Sequence, residues 1–112
     1  MPSQGEIVLI PMPFTDLTSA RRRPAIVISN DTYNRTTIDM VVVGMTSLLS
    51  PTPHSFTLTT KDLAAGVLNH PGKVRVDKIY TLSQNIIVKT FGKVNAATLD
   101  RIRQMLQDLC RP

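Results

Sequence analysis

Arg75 and Asp77 stand one residue apart in the run Val74-Arg75-Val76-Asp77. Side chains alternate between the two faces of a strand, so on a strand this spacing brings a cation and an acid to one face, where both can serve one reactive group. A same-face salt bridge on a solvated surface, worth little in stability, has the same pattern. A second concentration of charge, Arg21-Arg22-Arg23, directly precedes Pro24 and the apolar run Ala25-Ile26-Val27-Ile28. Guanidiniums are planar forked donors that stay charged near neutrality, so three of them on a sheet rim suit phosphate oxygens. Arg23 precedes a proline, which biases its backbone to an extended conformation and limits where its guanidinium points. The same three arginines also read as a solvated turn. Thr46 and Ser47 close a second apolar run, where β-propensity alone would also account for a threonine.

The whole chain bounds what these residues serve. Its 112 residues suffice for one domain with one core, spanning residues 1–112. An apolar share of 42% and a charged share of 19% fit a globular protein and argue against disorder. The net charge of +5 attracts polyanions, nucleic acid first among them. Cys110 is the sole cysteine, so the chain can form no internal disulfide, and a reducing cytoplasm is the simplest setting. The early residues Pro2, Gly5, Glu6, Pro11 and Pro13 do not read as a secretory signal. The apolar run at residues 40–45 is far short of the roughly 20 residues that cross a bilayer, so a soluble protein without membrane contact is expected.

The elements that must position the chemistry follow from periodicity. Residues 6–12 read as a first, edge-prone strand, since Pro11 and Pro13 suit a strand end or a sheet edge. A polar loop is expected over residues 14–20, a buried strand over 25–29, and a turn at Asn30-Asp31. Residues 38–45, with three consecutive valines, predict a central strand covered on both faces. A proline-bearing loop over 48–55 leads to a short strand at 56–59, and a helical turn at 61–65 stops at Gly66. Two more strands are expected at 73–82 and 86–94. Asn95 then caps a helix whose core stripe is Leu99, Ile102, Leu106 and Leu109. Short strands followed by one terminal helix predict a mainly β fold, a small SH3-like antiparallel barrel with a C-terminal α-helix.

In order and spacing, Gly5-Glu6-Ile7-Val8, Arg23-Pro24-Ala25-Ile26-Val27-Ile28, Met45-Thr46-Ser47 and Val74-Arg75-Val76-Asp77 resemble the MazF, PemK and Kid family of type II toxin–antitoxin toxins. The resemblance spans nearly the whole chain. It implies a dimerising β-barrel that cuts single-stranded mRNA at short sequences without a metal or other cofactor, restrained by a cognate antitoxin through which any DNA contact is made. It also implies an active site of Arg23, Thr46, Arg75 and Asp77. RNA cleavage of this kind needs a base for the 2′-hydroxyl proton and an acid for the leaving 5′-oxygen. Asp77 would be the base. Arg75 is either the acid or its electrostatic substitute, and a guanidinium is better suited to stabilising phosphorane charge, a role shared with Arg23. Thr46 would donate to a non-bridging oxygen.

One departure stands out. Many relatives carry a longer first loop with a Glu-Gln-x-Gly pattern or a histidine, and residues 16–22 offer neither, which leaves Arg21 or Arg22 as the substitute cation. Arg21, Arg22 and Ser47 are expected to bind RNA, and Tyr33, Phe56 and Tyr80 could stack on unpaired bases, with core packing an equal reading for Phe56. His54 and His70 read as surface histidines, and with Cys110 they lack metal-ligand spacing. Two other functions fit the same residues: a catalytically weak or inactive nucleic-acid-binding module, and a purely structural homodimer.

Overall fold

The β-rich residues Glu6–Met12 form β1, and β2 spans Arg21–Val27. The computed structural model describes residues 1–12 and 21–112; the loop expected over residues 14–20, and with it most of the short first connection, lies outside the described residues. A six-residue helix, α1 (Asp31–Thr36), separates β2 from β3 (Asp39–Thr46). Then follow β4 (Ser55–Leu58), a 3-10 turn at Thr60–Asp62, β5 (Leu63–Gly66), β6 (Gly72–Ser83), a 3-10 turn at Gln84–Ile86, β7 (Lys89–Val94) and α2 (Ala96–Cys110). The strands make one antiparallel sheet in the order β4-β6-β3-β2-β1-β7-β5, curled into a half-barrel and closed by α2, as the barrel expectation requires.

Two cores lie on opposite faces of the sheet. On one, Ile7, Ile26, Val43, Met45, Phe56, Leu58, Val74, Val76 and Val94 pack with Ile102 of α2, and Leu99 and Leu106 join from the same helical stripe. On the other, Val8, Ile10, Ala25, Val27, Met40 and Val42 are covered by Tyr80, Leu82, Ile86 and Ile87. Strand β3 feeds both, so its continuous apolar run reflects burial on two sides. Asn95 caps α2 as expected, its side chain accepting from the Thr98 N–H at 2.9 Å.

Several expectations are corrected. Strand β1 is not an edge: it lies between β2 and β7, and Pro11 does not prevent this because β7 pairs with it only from Glu6 to Leu9; Pro13 lies outside the described residues. The arginines are part of β2, at one end of an interior strand and not on the sheet's rim, so alternation sends Arg22 to the face opposite Arg23. Asn30 caps α1, accepting from the Tyr33 N–H at 2.8 Å, where a simple turn was expected. The helical turn expected at 61–65 is a single 3-10 turn followed by β5. Gly66 allows β5 to lie against β7: its φ is +89°, and a Cβ there would come 2.5 Å from the Phe91 carbonyl oxygen.

Candidate active site

Pro24 shapes the opening in which the basic residues sit. It has no N–H to donate, and the β2–β3 ladder stops beside it, the last pair being Ala25 with Gly44. Beyond that pair the strands are no longer bonded. A groove of about 520 Å³ lies there, with Arg22, Arg23 and Pro24 on one side and Met45, Thr46, Ser47 and Leu48 on the other. Leu68, His70, Pro71, Gly72 and Phe91 complete its walls. Among the described residues the lining carries cations and no carboxylate, so it favours an anion. Thr46 Oγ1 accepts from the Leu48 N–H at 3.2 Å, which orients the hydroxyl and leaves its proton to be donated.

Arg75 and Asp77 sit at a break in the β3–β6 ladder. Val43 pairs with Ile79 and the next residue, Gly44, pairs with Arg75, so residues 76–78 bulge out of register. On the other side of β6 the Val76 N–H continues the β4 register, donating to the His54 carbonyl at 3.0 Å, and His54 itself is held at φ 55° just before β4. Across the bulge Arg75 closes on Asp77 through two parallel bonds, Nε to Oδ1 at 2.9 Å and Nη2 to Oδ2 at 2.8 Å. The hydrogen bond from Arg75 holds the Asp77 carboxyl below the usual carboxylate range, against the opposing pull of desolvation. The bond to Asp77 likewise raises Arg75, helped by the charges of Asp77 and Tyr80. The side chains are 26% and 30% exposed, so the pair is open to solvent and to a ligand. Asp77 uses two of the five guanidinium N–H donors, leaving three for phosphate oxygens.

Strand alternation sets which residues face one another. Val74, Val76, Met45 and Ile26 enter the core under α2, so Arg75, Asp77, Thr46 and Arg23 rise from the other face. On that face Gly44 lies between Ala25 and Arg75 in register, and an atom on its Cα would meet Lys78 Cβ at 3.5 Å and Tyr80 Cε2 at 3.8 Å. Tyr80 is thus beside the acid–cation pair. Arg75 and Asp77 do not line the groove; Arg23 and Thr46 join the two regions, since they line the groove and share the face of the pair.

Other expected residues fall elsewhere. Tyr33 is on α1, at the far end of β3 from Thr46, and the eight residues of that strand rise about 23 Å. Phe56 is 4% exposed and belongs to the core, with the Arg101 guanidinium 4.3 Å from its ring centroid, so it presents no face to a base. Two residues were missed. His70, expected to be merely superficial, lines the groove. Lys73 is 6% exposed, pairs in register with Thr46, and shares the face of Arg75. Its alternation with Arg75 was visible in sequence, but its neighbour Thr46 is set by register alone.

The half-barrel thus carries a basic groove at the β2–β3 opening and a forked acid–cation pair on the face that Arg23 and Thr46 share. The chain belongs to the PemK-like, MazF-like toxins of type II toxin–antitoxin systems, whose family model matches residues 3–110. Comparison with curated proteins gave no match. Among solved structures, the chain is similar to a MazE–MazF crystal structure from Deinococcus radiodurans at 28% identity, with TM-score 0.78 and 96% and 94% of the two chains covered. A second crystal form of that complex gives 27% identity, TM-score 0.74 and coverage of 96% and 93%. An endoribonuclease in complex with its cognate antitoxin, from a mycobacterial species, shares the fold at TM-score 0.76, with 24% identity and 100% and 98% covered.

Proposed function

We propose that this protein is an endoribonuclease that cleaves single-stranded mRNA at short sequences, the toxin of a type II toxin–antitoxin pair. The observation that carries the reading is the Arg75–Asp77 fork on one face with Arg23 and Thr46, in a chain of this toxin family. Asp77, held ionised by Arg75, takes the proton of an RNA 2′-hydroxyl. The oxygen attacks the adjacent phosphorus, and Arg75 and Arg23 stabilise the charge that gathers on the phosphorane oxygens. Thr46 donates to a non-bridging oxygen, while Arg22 and Ser47 hold the flanking strand in the groove and Tyr80 offers a ring to a base. No step calls for a metal ion. The P–O5′ bond breaks and the leaving oxygen takes a proton from water, which gives a 2′,3′-cyclic phosphate and a free 5′-hydroxyl.

A cognate antitoxin with an acidic segment fits the same basic groove, and would bring any contact with DNA. Homodimerisation accords with the family. The test is incubation of long RNA with purified protein in EDTA, with end-group analysis of the fragments. Cleavage with cyclic-phosphate ends is expected, lost in Arg23→Ala and Asp77→Ala. Intact RNA at excess protein, with both variants indistinguishable from wild type, would sink the reading; retained, salt-sensitive RNA binding without cleavage would leave a nucleic-acid-binding module instead.

A further inference from the structure

We infer that the groove beside Pro24 seats one unstacked nucleobase of the RNA, next to the phosphate under attack, and that His70 is the residue that discriminates which base enters. The inference rests on the endoribonuclease reading above and adds a base site to it. The groove combines two chemistries at different depths. Arg22 brings positive charge to an exposed wall that Arg23 shares, whereas Met45, Leu68 and Phe91 lie deeper, one buried and two half-buried. Met45 belongs to the core under α2 and the other two pack against it, so the floor of the groove is the open end of that core. Gly72 shapes this floor, since a Cβ there would come 2.9 Å from the Met45 methyl. A phosphate alone would satisfy the arginines and leave the apolar floor wet. A nucleotide carries both parts, an anion and a flat ring with an apolar face, and so matches rim and floor together. The volume of about 520 Å³ suits one such unit and not a run of stacked bases.

Register puts the groove within one nucleotide of the fork. Gly44 pairs with Arg75, and Thr46 stands two residues further along β3, about 7 Å away, on the regular side of the bulge. A phosphate between Arg75 and Thr46 therefore leaves its neighbouring nucleoside at the groove that Thr46 and Arg23 line. Among the polar side chains of that lining, the arginines and Thr46 turn to phosphate oxygens and Ser47 to the strand. His70 is left for the base. Its two ring nitrogens lie in one plane, so they match the edge of one base and mismatch another. Pro71 follows it and biases its backbone to an extended conformation, and the side chain is exposed, so the imidazole is open to a ligand on a restrained stem.

Two measurements on short RNAs test the assignment. The first uses an oligoribonucleotide built around a mapped cleavage site, with a 2′-deoxy sugar at the cleaved nucleotide so that binding is read without reaction. Deleting one base at a time, with the sugar–phosphate chain kept, should weaken binding by about tenfold or more where a base is seated. A base on the Tyr80 ring would also register, so the second measurement assigns the groove. Cleavage is followed on all-ribose oligonucleotides that carry each of the four bases at each sensitive position. At one position next to the scissile phosphate the wild type should favour one base by about fivefold or more, and His70→Ala should reduce that preference to less than about twofold while the preferences elsewhere persist. A merely structural role for His70 would move every position alike. An even deletion scan, or preferences that His70→Ala leaves intact or weakens uniformly, would overturn the assignment and leave the apolar floor to a protein segment, while wild-type cleavage upholds the nuclease reading. A wild-type protein that leaves all these RNAs intact overturns both.

Discussion

A single pair of side chains fixes the working charge of the site. Arg75 clamps Asp77 through two short bonds, and the carboxyl in consequence stays ionised to lower pH than an ordinary aspartate. A base with a depressed pKa is available at every pH above that depressed value, so the acid limb of the cleavage profile should lie below the ordinary range of about 3.9. Arg75→Gln removes the largest cause of the depression, and the Asp77 carboxyl should then titrate at higher pH, observable as a shift of its carboxyl carbon resonance. Titration at the same pH in both proteins would show that something other than the fork holds the charge. For stability the sign is the same: the contribution is present above the unfolded pKa and fades as pH falls through the folded value. With both groups partly exposed that contribution is small, so the pair's conspicuous geometry is better explained by chemistry than by folding.

At the scale of elements, backbone irregularities carve the site out of a regular sheet. Pro24 ends the β2–β3 ladder at Ala25, which leaves Arg23 and Thr46 unpaired with each other across the groove, although Arg23 still pairs with Ile10 and Thr46 with Lys73. Pro24→Val supplies the missing N–H and lets pairing extend toward Arg23 and Thr46. RNA affinity should fall on the order of tenfold, about 1.4 kcal/mol, with thermal stability kept or raised. Unchanged affinity would show that the groove does not depend on the broken ladder. His54 works through its carbonyl, which receives the Val76 N–H on the β4 side of β6. At φ 55° glycine is at ease and any residue with a Cβ is strained, so His54→Gly should retain cleavage and match or exceed the wild type in a melting experiment, while His54→Ala, which keeps the Cβ, should melt close to wild type. These features mark where sequence reading ran out. The strand of three valines, the Asn95 cap and the Arg75–Asp77 face were legible, because each rests on local periodicity or local hydrogen bonding. Helix α1 was not, since six residues are too few to display a period, and β5 was hidden because its pairing with β7 is a long-range event. Lys73 beside Thr46 and His70 in the groove are likewise products of register and strand end, which no single segment encodes.

For the whole molecule, the remaining question is whether a net charge of +5 acts as a diffuse field or through cations in particular places. A diffuse field speeds encounter and is screened over about 10 Å at 0.1 M salt. Cations seated on phosphates displace counterions, and each contributes about 0.7 to the slope of log affinity against log salt for a single strand. Two arginines separate these cases. Arg22 is exposed on the groove wall, whereas Arg103 is exposed on α2 and already paired with Asp100. Arg22→Gln and Arg103→Gln lower the net charge equally. If placement governs binding, Arg22→Gln should flatten the salt slope by about 0.7 and Arg103→Gln should leave it unchanged, measured with an uncleaved RNA across a series of salt concentrations. Equal effects from the two variants would mean that the molecule attracts RNA as a uniformly basic body, and that the groove beside Pro24 has no privileged part in holding it.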